Sequence, residues 1–147
     1  MKKLLSLTIG LISIVSVSQE KLPRIDFDLI EKEIADRAKE NDFVKVLESI
    51  NRINKNDSAY YPLLTSKSYY LLQQKKYEEA IKAADEGISS EDKHSKVFFY
   101  TNKGVALTNL KNYKKAIETY NEGLKYYPRN YLLWFNKGVV FEAMGEV

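Results

Sequence analysis

The sequence predicts an all-α fold, a right-handed α-solenoid built from antiparallel helix pairs. Segments that begin NDFVKVL, KKYEEAI and KNYKKAI recur, and the chain closes with GEV. Their first aromatic or apolar residues lie 34, 36 and 34 residues apart and are Phe43, Tyr77, Tyr113 and Val147. In a second register, NKGV at 102–105 recurs at 136–139. A fixed period in this range is typical of an array of stacked helix pairs with one concave face.

Each repeat contains two helical segments separated by a short break. In the third repeat, apolar or small residues follow the spacing of an α-helix, and they are Tyr113, Ala116, Ile117, Tyr120, Gly123 and Leu124. Pro128 stops this segment because proline cannot continue a helix. The same spacing predicts seven helices, near residues 27–40, 43–54, 60–73, 77–89, 96–110, 113–126 and 131–144.

The first 18 residues have the pattern of a bacterial secretory signal peptide. Two lysines precede an uncharged, mostly apolar run of 14 residues, and the small residues Ser16 and Ser18 stand before a cleavage point. An uncleaved membrane anchor is the alternative, but the run is shorter than the ~20 residues that a spanning helix needs. We therefore expect signal cleavage, no stable membrane span in the mature chain, and a periplasmic or extracellular location.

Composition excludes several classes of function. The hydrophobic content of 44% and the charged content of 29% are those of a folded chain. The net charge is +3, and Lys2 and Lys3 of the signal supply two of these charges, so the mature chain carries only +1. This small charge disfavours nucleic acid as a partner. The chain has no cysteine, which excludes disulfides, thiolate metal sites and a cysteine nucleophile.

No catalytic constellation is visible in the sequence. The motifs GxxxxGK[ST], HExxH, GxSxG and GxGxxG do not occur. The only histidine, His94, lies in the polar stretch SSEDKHSK, where a solvated loop histidine is a simpler interpretation than a catalytic or ligand residue. We expect neither enzymatic activity nor a cofactor nor a metal site.

The third and fourth repeats resemble tetratricopeptide repeats. The residues that carry this resemblance in the third repeat are Tyr100, Gly104, Leu107, Ala116, Tyr120 and Pro128, and in the fourth they are Trp134, Gly138 and Phe141. The second repeat departs from the family pattern at Ser68, which replaces the helix glycine. The resemblance implies about three units plus the first helix of a fourth. They follow a linker at 19–25 and occupy 26–59, 60–95, 96–130 and an incomplete 131–147.

In this family the first helix of each pair lines a concave binding face. Carried over to this sequence, the groove residues are Thr65, Tyr69, Leu72, Thr101, Asn102, Val105, Thr108, Phe135, Asn136 and Val139. The resemblance implies that Asn102 and Asn136 hydrogen-bond the backbone of a bound peptide, although asparagine is also simply common at this position. Neutral residues stand where chaperone-tail adaptors of the family use Lys and Arg, which argues against a carboxylate clamp and favours an uncharged peptide or a partner helix.

These observations predict an exported scaffold that binds a protein or peptide partner and catalyses nothing. The alternative is an extracytoplasmic sensor or interaction segment of a larger signalling protein or enzyme that continues beyond Val147. An RNA-binding helical repeat fits poorly with a secretion signal. Because Trp134 and Phe141 lack a following helix, we expect either a fragment or self-association or docking through this uncovered helix.

Overall fold

The computed structural model describes residues 27–90 and 96–145, and within these ranges the chain forms seven helices and no strand. The helices are α1 (Phe27–Lys39), α2 (Phe43–Ile50), α3 (Tyr60–Gln73), α4 (Tyr77–Ser89), α5 (Lys96–Asn109), α6 (Tyr113–Tyr126) and α7 (Tyr131–Met144). The prediction of an all-α helical-repeat solenoid is confirmed. The signal peptide, the linker at 19–25, His94 and Val147 lie outside the described residues. None of the described helices is long and apolar enough to cross a membrane.

One helix boundary was predicted wrongly. The predicted second helix extended to residue 54, whereas α2 ends at Ile50. Beyond that point the backbone forms single turns, in which the amide of Ile53 donates to the Ile50 carbonyl at 3.1 Å. Asp57 then accepts from the amide of Asn54 at 3.0 Å, which stabilises a turn rather than a helix. Ile53 remains buried although it lies in a turn. Its apolar side chain therefore fits the helical spacing even though α2 has already ended.

From the second pair onward, the first helices of successive pairs are neighbours. Consecutive helices contact each other throughout, and α5 additionally contacts α3 and α7. Three apolar clusters form the core, centred on α1–α2, on α3–α4 and on α5–α6. Partly buried residues join them, because Tyr70 contacts the first two clusters and Ile81 the last two. The core therefore runs along the array, as expected for stacked repeats.

The same tight turn ends the first helix of every pair. A residue with positive φ occupies this turn at Asn41 (56°), Lys75 (58°), Lys111 (58°) and Gly145 (73°). In the second turn, the Lys75 amide donates to the Leu72 carbonyl and the Lys76 amide to the Leu71 carbonyl, both at 2.9 Å. These two bonds define a Schellman motif, which satisfies the last carbonyls of a helix. The 34- to 36-residue period of the sequence thus recurs as a repeated backbone conformation.

Close helix approach depends on Gly104. A Cβ atom at this position would overlap the ring of Tyr120, a side chain of α6 that is only 1% exposed. The glycine therefore allows α5 and α6 to approach each other closely.

Candidate peptide-binding face

The predicted groove residues lie on three helices that are side by side. Thr65 and Tyr69 of α3 are four residues apart, so they lie on one face of that helix. The equivalent residues on α5 and α7 follow at the repeat period, and α5 contacts both α3 and α7. We call the predicted residues together the first-helix face. They are Thr65, Tyr69, Leu72, Thr101, Asn102, Val105, Thr108, Phe135, Asn136 and Val139.

The first-helix face exposes large apolar side chains. Tyr69 is 49% exposed, Phe135 54% and Val139 39%. Leu72 and Val105 are half-buried beside them. Exposed apolar groups that cluster are typical of interaction surfaces, whereas isolated ones are ordinary.

The threonines of this face are less polar than their residue type suggests. The hydroxyl of Thr101 donates to the Val97 carbonyl at 2.8 Å, and the hydroxyl of Thr108 donates to the Gly104 carbonyl at 2.8 Å. Thr65 makes the corresponding bond to the Tyr61 carbonyl at 3.2 Å. Since these hydroxyl protons are used within their own helices, the oxygens of Thr65 and Thr101 remain as hydrogen-bond acceptors. The Thr108 hydroxyl also hydrogen-bonds the Tyr120 hydroxyl.

The predicted peptide contact of Asn102 stays a prediction, and the structure shows that its side chain already has partners within the chain. Its side chain is only 9% exposed. Its amide nitrogen donates to the Ser68 hydroxyl at 2.6 Å and, more weakly, to the Thr65 carbonyl at 3.4 Å. The side-chain amide of Asn102 therefore joins α5 to α3. Ser68, the residue that departs from the family glycine, supplies its partner.

Asn136 has a different environment at the equivalent position. Its amide nitrogen donates to the Leu132 carbonyl of its own helix at 2.7 Å, and the side chain is half-buried. No serine can bridge to it, because Gly104 occupies the place that Ser68 has in the preceding pair. Its bond to a carbonyl one turn away is solvent-accessible, so Asn136 stays a predicted peptide contact.

Two exposed aromatic residues of the first helices were not among the predicted groove residues. Tyr131 is 70% exposed and stacks on Phe135, with ring centroids 5.7 Å apart. It lies four residues before Phe135, so the same helical spacing that selected Thr65 and Tyr69 could have found it. Phe98, near the start of α5, is 48% exposed. Both extend the apolar surface toward the N-terminal ends of the first helices.

Two lysines of the first helices are engaged with residues outside this face. Lys67, Lys103 and Lys137 occupy equivalent positions at the repeat period. The Lys67 ammonium donates to the Asn51 side chain at 2.6 Å, and that of Lys103 pairs with Asp85 of α4 at 2.7 Å. None of the predicted groove residues is charged, so the first-helix face is neutral.

The described residues contain no group of three or more His, Asp or Glu side chains placed to hold a metal ion. A cavity of about 480 Å³ lies between α4, α5 and α6, and it is lined by Asp85, Lys103, Glu118 and other residues outside the first-helix face.

Comparison with known proteins supports the resemblance found in the sequence. Residues 97–130 match the family model of the tetratricopeptide repeat. This segment covers nearly all of α5, all of α6 and Pro128. No curated protein sequence matches the chain.

Solved tetratricopeptide repeat structures share the fold over about four fifths of the chain. The second such domain of the human RPAP3 protein, solved in complex with the HSP70 peptide SGPTIEEVD, superposes with a TM-score of 0.65 at 22% identity. The match covers 76% of this chain and 91% of that domain. The domain of Arabidopsis OM64 gives a TM-score of 0.67 at 16% identity, covering 79% and 94%.

A tetratricopeptide repeat protein from Parabacteroides merdae gives a TM-score of 0.68 at 21% identity. The match covers 82% of this chain but only 47% of that protein. At these identities the comparisons establish the fold, which in tetratricopeptide repeat proteins generally serves the binding of proteins or peptides.

Proposed function

We propose that this protein is a non-catalytic scaffold that binds a protein or peptide partner through its first-helix face. The observation that carries the proposal is the exposure of Tyr69, Phe135 and Val139 on helices that lie side by side. Tyrosine and phenylalanine are side chains that often dominate binding energy at interfaces. A rigid helical array presents them without a large ordering cost in the scaffold.

The first-helix face carries no charged residue, and this determines the kind of ligand that we propose. The peptide bound by the human RPAP3 domain, SGPTIEEVD, is acidic. A peptide of that kind needs cations in the groove, and here Lys67 and Lys103 are engaged with Asn51 and Asp85. We therefore propose an uncharged extended peptide or the apolar side of a partner helix as the ligand.

Export is part of the same proposal. It is supported by the lysines, the apolar run and the small residues within positions 1–18. The protein would then meet its partner in the periplasm or outside the cell. Fractionation of the source cells, with N-terminal sequencing of the purified protein, tests this. A mature chain that starts at Gln19 would support export, and a cytosolic chain that retains Met1 would contradict it.

A binding experiment tests the ligand class. Peptides would be selected from a random display library on the purified protein, and a selected peptide would be titrated by calorimetry. We expect Tyr69→Ser and Phe135→Ser each to weaken binding about tenfold or more, since each removes an aromatic contact. Val44→Ser is the matched control, because Val44 is 59% exposed but lies on α2.

Either of two results would reject the proposed ligand class. One is the selection of peptides that bind Tyr69→Ser and Phe135→Ser as tightly as the original protein. The other is a selected set that requires an acidic C-terminus, because that requirement would indicate a carboxylate clamp.

A further inference from the structure

Within the first-helix face, α3 and α5 each carry a ridge of side chains with the same spacing. In each ridge the residues follow one another at steps of four and three, and the second ridge lies 36 residues after the first. The ridges consist of Thr65, Tyr69 and Leu72 on α3 and of Thr101, Val105 and Thr108 on α5. Because α3 and α5 contact each other, a groove runs between the two ridges. Further described helices follow both of them, so this groove lies inside the described array.

Most hydrogen-bond donors along this groove are already used within the chain. The hydroxyls of Thr65, Thr101 and Thr108 donate to carbonyls one turn earlier in their own helices. The side-chain amide of Asn102 donates to the Ser68 hydroxyl and to the Thr65 carbonyl, both on α3. The hydroxyl of Tyr69 is the remaining donor of the two ridges. The groove therefore offers a ligand apolar groups and acceptor oxygens, but very few donors.

This shortage of donors disfavours a ligand in an extended conformation. Backbone N–H and C=O groups that lose contact with water need other hydrogen-bond partners, and a buried group without one weakens the complex. The backbone carbonyls of an extended peptide that point into this groove would meet only the Tyr69 hydroxyl as a donor. An α-helix forms its backbone hydrogen bonds internally. A helical ligand therefore needs from the groove only contacts with its side chains.

We propose that the ligand of the first-helix face is an amphipathic α-helix that lies in the groove between α3 and α5. This inference rests on the proposed function, because it names the conformation of the ligand at that same face. The ligand helix carries uncharged apolar side chains at steps of three and four, and these pack between the two ridges. Tyr69 supplies the largest contact, since it is 49% exposed and its ring packs edge-on against Tyr70 with centroids 5.3 Å apart.

Two further exposed residues lengthen the ridges and set the length of the ligand helix. Pro62 precedes the first ridge residue of α3 by three positions, and Phe98, 48% exposed, has the same place on α5. From Pro62 to Leu72, and from Phe98 to Thr108, each ridge spans about 15 Å at the rise of an α-helix. A ligand helix of three to four turns, roughly 14 residues, covers this length. None of the ridge residues is charged, so the side of the ligand that faces them is uncharged as well.

Two peptide libraries of equal length, about 14 residues, are the probes for the experiment. In the first, a lactam bridge on the polar side holds each peptide helical, and apolar residues are randomised at steps of three and four. In the second, the same apolar residues alternate along an unbridged peptide with a central proline. Binders selected on the purified protein would be titrated by calorimetry. We expect binders from the helical library, which Tyr69→Ser weakens about tenfold or more and the control Val44→Ser leaves unchanged.

The conformation of the bound peptide is then measured directly. In an isotope-labelled binder, nuclear Overhauser effects between successive amide protons would identify a helix in the complex. Opening the lactam bridge should weaken binding about fivefold to tenfold, because the free peptide then loses conformational entropy on binding. A central proline in the opened peptide should weaken binding by a further factor of about ten or more, since it interrupts the helix.

Two results would overturn the inference, and they differ in what they imply for the proposed function. One is a peptide that depends on Tyr69 but is extended in the complex and tolerates the central proline. The first-helix face would then still be a binding site, but its ligand would not be a helix. The other is that neither library yields a peptide whose binding is weakened by Tyr69→Ser, and this result would reject the proposed function together with the helical ligand.

Discussion

The side-chain amide of Asn102 donates to the Ser68 hydroxyl at 2.6 Å and joins α5 to α3. The Ser68 hydroxyl in turn donates to the Thr65 carbonyl at 2.8 Å. Both side chains are buried, Ser68 completely. The two bonds form a polar link between the first helices of adjacent pairs, in an interface that is otherwise mainly apolar.

Removing this link should destabilise the fold. Asn102→Ala should lower the free energy of unfolding by about 1–3 kcal/mol, since it removes a buried hydrogen bond and leaves the Ser68 oxygen without its donor. Urea denaturation followed by circular dichroism measures the change. Asn136→Ala is the matched control, because its amide bonds only to a carbonyl of its own helix. That variant should stay within about 0.5 kcal/mol of the original protein. Equal losses for the two variants would contradict the assignment.

The carboxylate of Glu86 links α4 to the start of α3 and to Lys55 in the segment before α3. It accepts a hydrogen bond from the Tyr60 hydroxyl at 2.6 Å and pairs with the ammonium of Lys55. Burial opposes ionisation, but the hydrogen bonds from Lys55 and Tyr60 outweigh it, so the pKa of Glu86 lies below its ordinary value. A carboxyl whose pKa is lower in the folded state stabilises the fold above its unfolded pKa, and this contribution is lost as the pH falls through its folded pKa.

This linkage predicts a pH-dependent effect of Glu86→Gln. Because Glu86 is 34% exposed and Lys55 71%, the loss of stability at neutral pH should be at most about 1 kcal/mol. The difference from the original protein should shrink as the pH falls below about 4, where the carboxylate becomes protonated. Denaturant midpoints measured at several pH values test this. A Glu86→Gln effect that is constant with pH would contradict the linkage.

Periodicity predicted the helices well because it records which side of each helix is buried. The bounds of α3, α4, α6 and α7 agree with the spacing of apolar residues to within one residue. The end of α2 could not be found in this way. Ile53 is buried in a turn, and burial alone does not distinguish a turn from a helix.

The sequence pattern could not predict which residues on different helices contact each other. A pattern gives the angular position of Asn102 on α5, but not which side chain of α3 lies opposite. The identity of that opposite residue, Ser68 in one pair and Gly104 in the next, decides whether the asparagine is used internally or remains near the surface. The apolar part of the candidate face was easier to predict, since exposure of Tyr69 and Phe135 follows from helical phase alone.

Glycine should stabilise the repeated turns at Lys75 and Lys111. Lys75 and Lys111 have φ near 58°, a conformation that costs a residue with a Cβ atom about 1–2 kcal/mol. Lys75→Gly and Lys111→Gly should each raise the free energy of unfolding by roughly 0.5–1 kcal/mol, after the greater flexibility of glycine in the unfolded chain is subtracted. Thermal and urea denaturation measure the gain. Lys76→Gly is the control, because Lys76 has φ of −86° and should lose stability.

The glycines of α5 and α7 should respond in opposite directions to alanine. Gly104→Ala should destabilise the protein by about 1–3 kcal/mol, because the added methyl group displaces the ring of Tyr120. Gly138→Ala should stabilise it by about 1 kcal/mol, since alanine favours the helix and meets open space. Both changes give the same gain in helix propensity, so the difference between them, measured by urea denaturation, isolates the cost of moving the Tyr120 ring. Two changes of the same sign and size would mean that the ring of Tyr120 does not restrict Gly104.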